Sequence, residues 1–208
     1  DGIFAEFGVG DGTENNTLFL LSLNWKGFWS GGGDIAFDVS KTKRLFFYKK
    51  WINQENICSL MDRGMSELVV DDIDLISVDL DGNDLYFCEE ILKNGFKPSV
   101  FIVEYNAKFP PPIKFCIDYN PSHSWDDTDY FSASLQSFYN MFDKYDYSLI
   151  CCNAATGANA FFVKNIYLDL FPETPDNIED IYVDCQYYLV TQYGHNKSVK
   201  TIELIIRE

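Results

Sequence analysis

The chain alternates short apolar runs with segments whose apolar residues recur at helical spacing. Seven apolar runs predict β-strands, at residues 3–7, 26–32, 44–52, 73–82, 97–106, 147–152 and 158–163. Four other segments predict α-helices, at residues 18–23, 53–64, 83–95 and 132–144, with Gly64 and Gly95 as helix ends. This alternation favours an α/β fold with a mostly parallel sheet and helices on both faces. The segment KTIELII, residues 200–206, is a further candidate strand.

Polar residues gather where the predicted strands end. They occupy residues 6–13, Ser30, residues 79–84 and residues 104–106. In open parallel sheets the ligand lies at the carboxyl ends of the strands, near the point where the strand order reverses. A long irregular segment between residues 106 and 132 is typical of a binding loop or lid. The sequence therefore predicts one domain with its site at that edge of the sheet.

Charge and composition narrow the classes of partner. The 208 residues carry a formal charge of −16, which disfavours a nucleic acid partner. No apolar run is as long as a membrane-spanning helix and no signal peptide is recognisable, so membrane insertion is not expected. The six cysteines form no C-x-x-C pair, which disfavours a zinc site and predicts reduced thiols in a cytoplasmic protein. The oligomeric state stays open.

Three glycines at alternate positions, Gly8, Gly10 and Gly12, follow the first predicted strand. A dinucleotide-binding loop has the pattern G-x-G-x-x-G, and its third glycine would fall at Thr13. The observed pattern is E-x-G-x-G-x-G, starting at Glu6. This pattern favours a loop that approaches its ligand with bare backbone over one that binds a diphosphate.

The glycine pattern resembles motif I of the class I S-adenosylmethionine-dependent methyltransferases. Further segments extend the resemblance to an FkbM-like bacterial group: LISVDLDGNDLYFCEEIL, FIVEYNAKF, SWDDTDYFSASLQSF and GANAFFV. The similar region covers residues 4–163, and residues 164–208 are an unassigned C-terminal extension. The resemblance implies a Rossmann-like, seven-stranded class I methyltransferase fold.

The resemblance also implies S-adenosylmethionine as cofactor and a small polar acceptor. Methyl transfer to an oxygen of a sugar, a nucleotide-linked sugar or another surface-polysaccharide precursor is the expected reaction. The candidate cofactor-binding residues are Glu6, Gly8, Gly10, Gly12, Thr13, Ser30, Asp34, Asn56 and Asp79. The group usually has an acid for the ribose hydroxyls where this chain has Ser30, so Asp34 reaching back is one explanation and weak ribose contact is another.

Acids at the ends of the fourth and fifth strands are candidates for the chemistry. An alcohol needs a base or a metal ion to attack a methyl group at neutral pH. Asp79, Glu104 and Asn106 could bind Mg²⁺, although Asp79 could instead contact the cofactor's ammonium group. The catalytic candidates are His123, Asp81 and Asp79, and the acceptor-binding candidates are Tyr105, Trp125, Asp129 and Tyr130.

Two other functions stay open at this point. An NAD-type oxidoreductase would share the fold, but Thr13 and Ser30 occupy positions where such an enzyme needs a glycine and an acid. A protein that binds the cofactor without catalysis would keep the glycine loop and would tolerate neutralisation of Asp79 or Glu104.

Overall fold

A computed structural model of the chain describes residues 1–186. Its sheet contains seven strands in the order β3-β2-β1-β4-β5-β7-β6. Their bounds are β1 Ile3–Phe7, β2 Lys26–Gly31, β3 Leu45–Lys49, β4 Leu75–Val78, β5 Val100–Glu104, β6 Tyr147–Cys152 and β7 Asn159–Lys164. The first five strands are parallel, and β7 runs antiparallel to both β5 and β6. The prediction of a mostly parallel, seven-stranded α/β sheet is confirmed; the candidate strand at 200–206 lies outside the described residues.

Helices and turns connect the strands. Their bounds are α1 Leu18–Ser22, α2 Ile57–Leu68, α3 Asp84–Lys93, α4 Leu135–Asp143 and α5 Ile178–Ile181, with a 3₁₀ helix at Asn165–Leu170. The chain moves outward from β1 to β3 and then returns to β4 on the other side of β1. Strand order therefore reverses between β1 and β4, which opens a crevice at their carboxyl ends.

Alternating side chains of the strands build a core on each face of the sheet. Phe7, Phe28 and Phe101 pack on the face covered by α2, α3 and α4, in one cluster with Ile57, Phe87 and Phe138 of those helices. Phe4 and Trp29 pack on the opposite face with Leu18 and Leu21 of α1. Because successive residues of a strand point to opposite faces, Glu6 shares the α1 face with Phe4.

The glycine expected to end α2 lies inside that helix. A Cβ atom at Gly64 would lie 2.1 Å from Cδ1 of Phe28, so the residue lets α2 approach β2. The helix continues to Leu68 and ends at Val69, which has a left-handed φ of 57°. The expected helix end at Gly64 is therefore wrong, since close packing rather than chain reversal requires this glycine.

Two absences can be stated for residues 1–186. None of their helices has both the length and the apolar character that crossing a bilayer requires. The six cysteines are all free thiols in this part of the chain.

Candidate active site at the carboxyl ends of the central strands

The glycine loop crosses the carboxyl end of β1 between the ends of β2 and β4. Gly8, Gly10 and Gly12 all have positive φ, at 94°, 52° and 85°. A Cβ atom at Gly8 would lie 1.6 Å from the carbonyl oxygen of Asp79, so only glycine allows this approach. A Cβ atom at Gly10 would meet nothing within 4 Å, so the middle of the loop is open and exposed.

Glu6 is fully buried directly below this loop. Its carboxylate accepts hydrogen bonds from the backbone N–H groups of Asn16 at 2.7 Å and Thr17 at 3.0 Å, and a third from the Thr17 hydroxyl. Trp29 donates in turn to that hydroxyl. The acid that precedes the glycines therefore anchors the start of α1, and the contacts assign it a structural position.

Two further carboxyl groups meet at the ends of β4 and β5. The parallel register pairs Val78 with Val103, so the next residues, Asp79 and Glu104, lie side by side. Neighbouring strands are about 5 Å apart, close enough for the two carboxyl groups to share a proton or a cation. Ligand oxygens of Asp79, Glu104 and also Asp81 all lie within 4.8 Å of one another. We call these three residues the acid cluster.

A tight turn after β4 brings Asp81 into the acid cluster. The buried carboxylate of Asp84 accepts hydrogen bonds from the N–H groups of Leu80 at 2.7 Å and Gly82 at 2.8 Å. These bonds fold the backbone around Asp81, which takes a left-handed φ of 55°. Such a conformation costs a non-glycine residue about 1 kcal/mol, so Asp84 maintains the turn that Asp81 needs.

Electrostatics in the acid cluster favours protonation. Burial raises the pKa of Asp79 well above its ordinary value of 3.8, and neighbouring carboxylates raise it further. Burial and then the charge of Asp79 likewise raise the pKa of Glu104 above 4.5. Burial also raises the pKa of Asp84, to about 6. Loss of solvation on burial is the largest cause of all three pKa shifts, and the N–H donors of Leu80 and Gly82 offset part of it at Asp84.

The long segment after β5 crosses over the ends of β3 and β4. Asn83 exchanges two hydrogen bonds with the backbone of Asn120, at 2.7 and 3.1 Å, and Trp51 donates to the carbonyl of Pro121 at 2.8 Å. These bonds hold His123 against Gly82, whose Cβ would lie 2.4 Å from the imidazole Cδ2. The Nε2 atom of His123 is buried and has no hydrogen-bond partner among the described residues.

The other residues expected to bind an acceptor do not gather at the acid cluster. Trp125 and Tyr130 are each 46% exposed, and Asp129 is exposed beside them. Tyr130 packs edge-on against His123, with ring centres 6.2 Å apart. Tyr105 is fully buried and donates to the carbonyl of Val183 at 2.6 Å. Tyr105 thus secures the chain after α5, and its expected contact with an acceptor stays a prediction.

Asn106 also differs from expectation. It is fully buried, and its amide donates to the carbonyls of Asp129 at 2.9 Å and Phe131 at 3.1 Å. Asn106, which was expected to bind a metal ion, instead holds the end of the long segment in place. Strand β5 ends at Glu104, so Asn106 follows the strand and its amide binds to that segment. Asp81, rather than Asn106, contributes the third oxygen to the group that could hold a metal ion.

Four residues expected to bind the cofactor have partners within the protein. The Thr13 hydroxyl donates to Asp11 at 2.6 Å, and the Ser30 hydroxyl donates to the carbonyl of Tyr48 at 3.1 Å. Asp34 forms an exposed ion pair with Lys49 at 2.7 Å. The Asn56 side chain accepts from the N–H of Asn53 and donates to the carbonyl of Trp51, which closes the turn before α2.

Two residues that are not among the candidates from the sequence, Asn16 and Asn159, lie beside the candidate site. The Asn16 amide donates to the Ser77 hydroxyl at 3.1 Å, and the Asn159 amide donates to Asn16 Oδ1 at 3.3 Å. Antiparallel pairing places Asn159 opposite Glu104. The polar run at residues 14–17 was the sequence signal for Asn16, whereas the position of Asn159 required the strand register.

No protein-family model matches this chain, and none of the curated proteins is significantly similar to it. The geometry of the strand ends is therefore what supports a function.

Proposed function

We propose that this chain is an S-adenosylmethionine-dependent methyltransferase with a class I methyltransferase fold. The observation that carries the proposal is the open glycine loop at residues 8–12, which lies beside Asp79 at the reversal of strand order. The strand order 3-2-1-4-5-7-6, with an antiparallel seventh strand, supports the fold assignment. The expected acceptor is an oxygen of a small polar molecule such as a sugar or a nucleotide-linked sugar.

The charge of the crevice suits this cofactor. S-adenosylmethionine carries a sulfonium and an ammonium group, both positive. Asp79 and Glu104 place two partly buried carboxyl groups next to the glycine loop, and a positively charged ligand would favour their ionised forms. A diphosphate would be repelled by the same carboxylates, which counts against a dinucleotide cofactor.

A small cavity suits the purine end of the cofactor. Its volume is about 80 Å³, and it lies at the ends of β2, β3 and β4 between Gly32, Trp51, Leu80 and His123. Larger surface grooves, of about 320 and 460 Å³, lie beside β6 away from the acid cluster. We assign His123 to recognition of the purine ring rather than to proton transfer, because the residue lines this cavity and its buried Nε2 has no hydrogen-bond partner among the described residues.

The reaction is an in-line displacement on the methyl carbon. The acceptor oxygen forms a C–O bond as the C–S bond breaks, and the electron pair of that bond remains on sulfur. The proton of the acceptor hydroxyl leaves to water as the C–O bond forms. Placing the methionine part on the glycine loop directs the methyl group toward the ends of β4 and β5, where the acid cluster lies.

Titration with S-adenosylhomocysteine tests the proposal. At 100 times its dissociation constant the ligand should add about 2.7 kcal/mol to the free energy of unfolding. Gly10→Ala should weaken binding at least tenfold, because a cofactor lying on the loop would meet a methyl group in space that is otherwise open. Gly95→Ala is the matched control: its φ of 90° and open surroundings impose a similar backbone cost far from the site. Absence of binding, binding of NAD⁺ instead, or equal binding by both variants would contradict the proposal.

A further inference from the structure

We propose that the acid cluster, Asp79, Asp81 and Glu104, binds one divalent cation of the magnesium class. Each residue offers an oxygen, and these oxygens lie within 4.8 Å of one another. Three carboxylates from two strand ends can thus converge on one ion. The cation site is inferred from these residues alone, whereas its use in methyl transfer rests on the proposed function.

Unpartnered buried oxygens are the second observation. Glu104 Oε2 is shielded from solvent and accepts no hydrogen bond from the described residues. Asn159, which pairs with Glu104 across the sheet and is 9% exposed, has an equally unpartnered Oδ1. A carboxylate oxygen normally accepts one or two hydrogen bonds, so burial without any donor is costly. A bound cation would supply the missing partner.

The described protein groups do not supply this positive charge. The ion pairs that Asp34, Glu67 and Glu89 form with lysine or arginine side chains lie outside the acid cluster. Burial raises the pKa of Asp81, and His123 offsets only part of that shift. A proton shared between Asp79 and Glu104 is the competing occupant, and the experiment below separates the two.

The type of ligand selects the class of ion. All three groups are carboxylates, which suit Mg²⁺ and Mn²⁺, whereas zinc and copper sites usually include histidine or cysteine. Three protein oxygens leave about half of an octahedral ion's positions for water or substrate. An acceptor hydroxyl bound there would have a lowered pKa, so that its proton could leave to water as the C–O bond forms.

Binding of Mn²⁺ to the full chain, followed by electron paramagnetic resonance and calorimetry after EDTA treatment, tests the site. We expect one Mn²⁺ per chain, displaced by Mg²⁺. Glu104→Gln should weaken Mn²⁺ binding at least tenfold and still fold, because the two side chains have the same shape. Glu89→Gln, at an exposed ion pair with Lys93 on α3, is the matched control and should bind Mn²⁺ like the unaltered chain.

The outcomes distinguish this inference from the proposed function. Absence of Mn²⁺ binding at millimolar concentration, or equal binding by Glu104→Gln, overturns the cation site and leaves a shared proton as the explanation. S-adenosylhomocysteine binding in EDTA would then still support the methyltransferase. Mn²⁺ binding that Glu104→Gln abolishes supports the site even where S-adenosylhomocysteine fails to bind.

Discussion

Two glutamates on the same face of the sheet, Glu6 fully buried and Glu104 partly buried, have opposite surroundings. Glu6 lies near the end of β1 and accepts three hydrogen bonds from residues 16 and 17. Glu104 ends β5, where one carboxylate oxygen accepts none from the described residues and Asp79 lies beside it. Both residues are glutamates near the end of a strand, so their surroundings differ in the number of hydrogen-bond donors that reach the carboxyl group.

The number of hydrogen-bond donors around each carboxyl group distinguishes a structural role from a candidate functional one. A carboxylate with its donors stabilises the fold, because each buried N–H group that it accepts from would otherwise be unpaired. A buried carboxylate beside other acids lowers stability, and proteins retain such groups mainly where activity needs them. Glu6 therefore anchors α1, while Glu104 belongs to the site, and the same substitution at both positions tests the distinction.

Glu6→Gln should have the largest effect. The amide keeps one acceptor oxygen and turns an NH₂ group toward N–H donors of residues 16 and 17. We expect a loss of about 2–3 kcal/mol in the free energy of unfolding, measured by urea denaturation followed by circular dichroism. A loss below about 0.5 kcal/mol would show that these bonds do not hold α1 in place.

Glu104→Gln should have a smaller effect of the opposite sign. The new amide can donate to Asp79, which replaces repulsion between two carboxyl groups by a hydrogen bond. In EDTA at pH 7.5 we expect a gain of about 1 kcal/mol by the same urea measurement. A loss of stability would contradict the comparison, since it would mean that the Glu104 carboxylate has stabilising partners.

The pH dependence of this gain follows from the direction of the pKa shift. Burial and Asp79 raise the pKa of Glu104 above its ordinary 4.5. As the pH rises past 4.5, the unfolded chain releases this proton first, so the stability of the folded state falls until the folded-state pKa is passed. In Glu104→Gln the free energy of unfolding should fall less steeply as the pH rises. Its stability should be closest to that of the unaltered chain at low pH, where Glu104 is protonated in both the folded and the unfolded state.

Asp34→Ala should have the smallest effect on stability. Its ion pair with Lys49 is on the surface, with side-chain exposures of 83% and 52%. Exposed pairs contribute at most about 1 kcal/mol and often nothing, so we expect a change below about 0.5 kcal/mol in thermal or urea unfolding. A larger loss would show that this acid supports the loop after β2, in contrast to its exposed position.

The sequence determined the elements and the edge of the sheet where polar residues collect. Strand and helix periodicity is local, so each buried strand could be recognised from its own residues. The glycines at residues 8–12 were also recognisable, because positive φ and close approach both require the absence of a side chain. The local pattern predicts a helix end at Gly64, whereas this glycine lies inside α2 where the helix packs closely against Phe28 of β2.

Tertiary structure alone decided which polar residues belong to the site. Donors reach Glu6 from 10 and 11 residues away, and Asn159 reaches Asn16 across 143 residues. Asn106 donates to the segment after β5. Asp81 lies in the acid cluster because Asp84 binds the backbone N–H groups on either side of it. A sequence pattern records the chemical type of a side chain, but its partners depend on strand register and on loops that arrive from elsewhere in the chain.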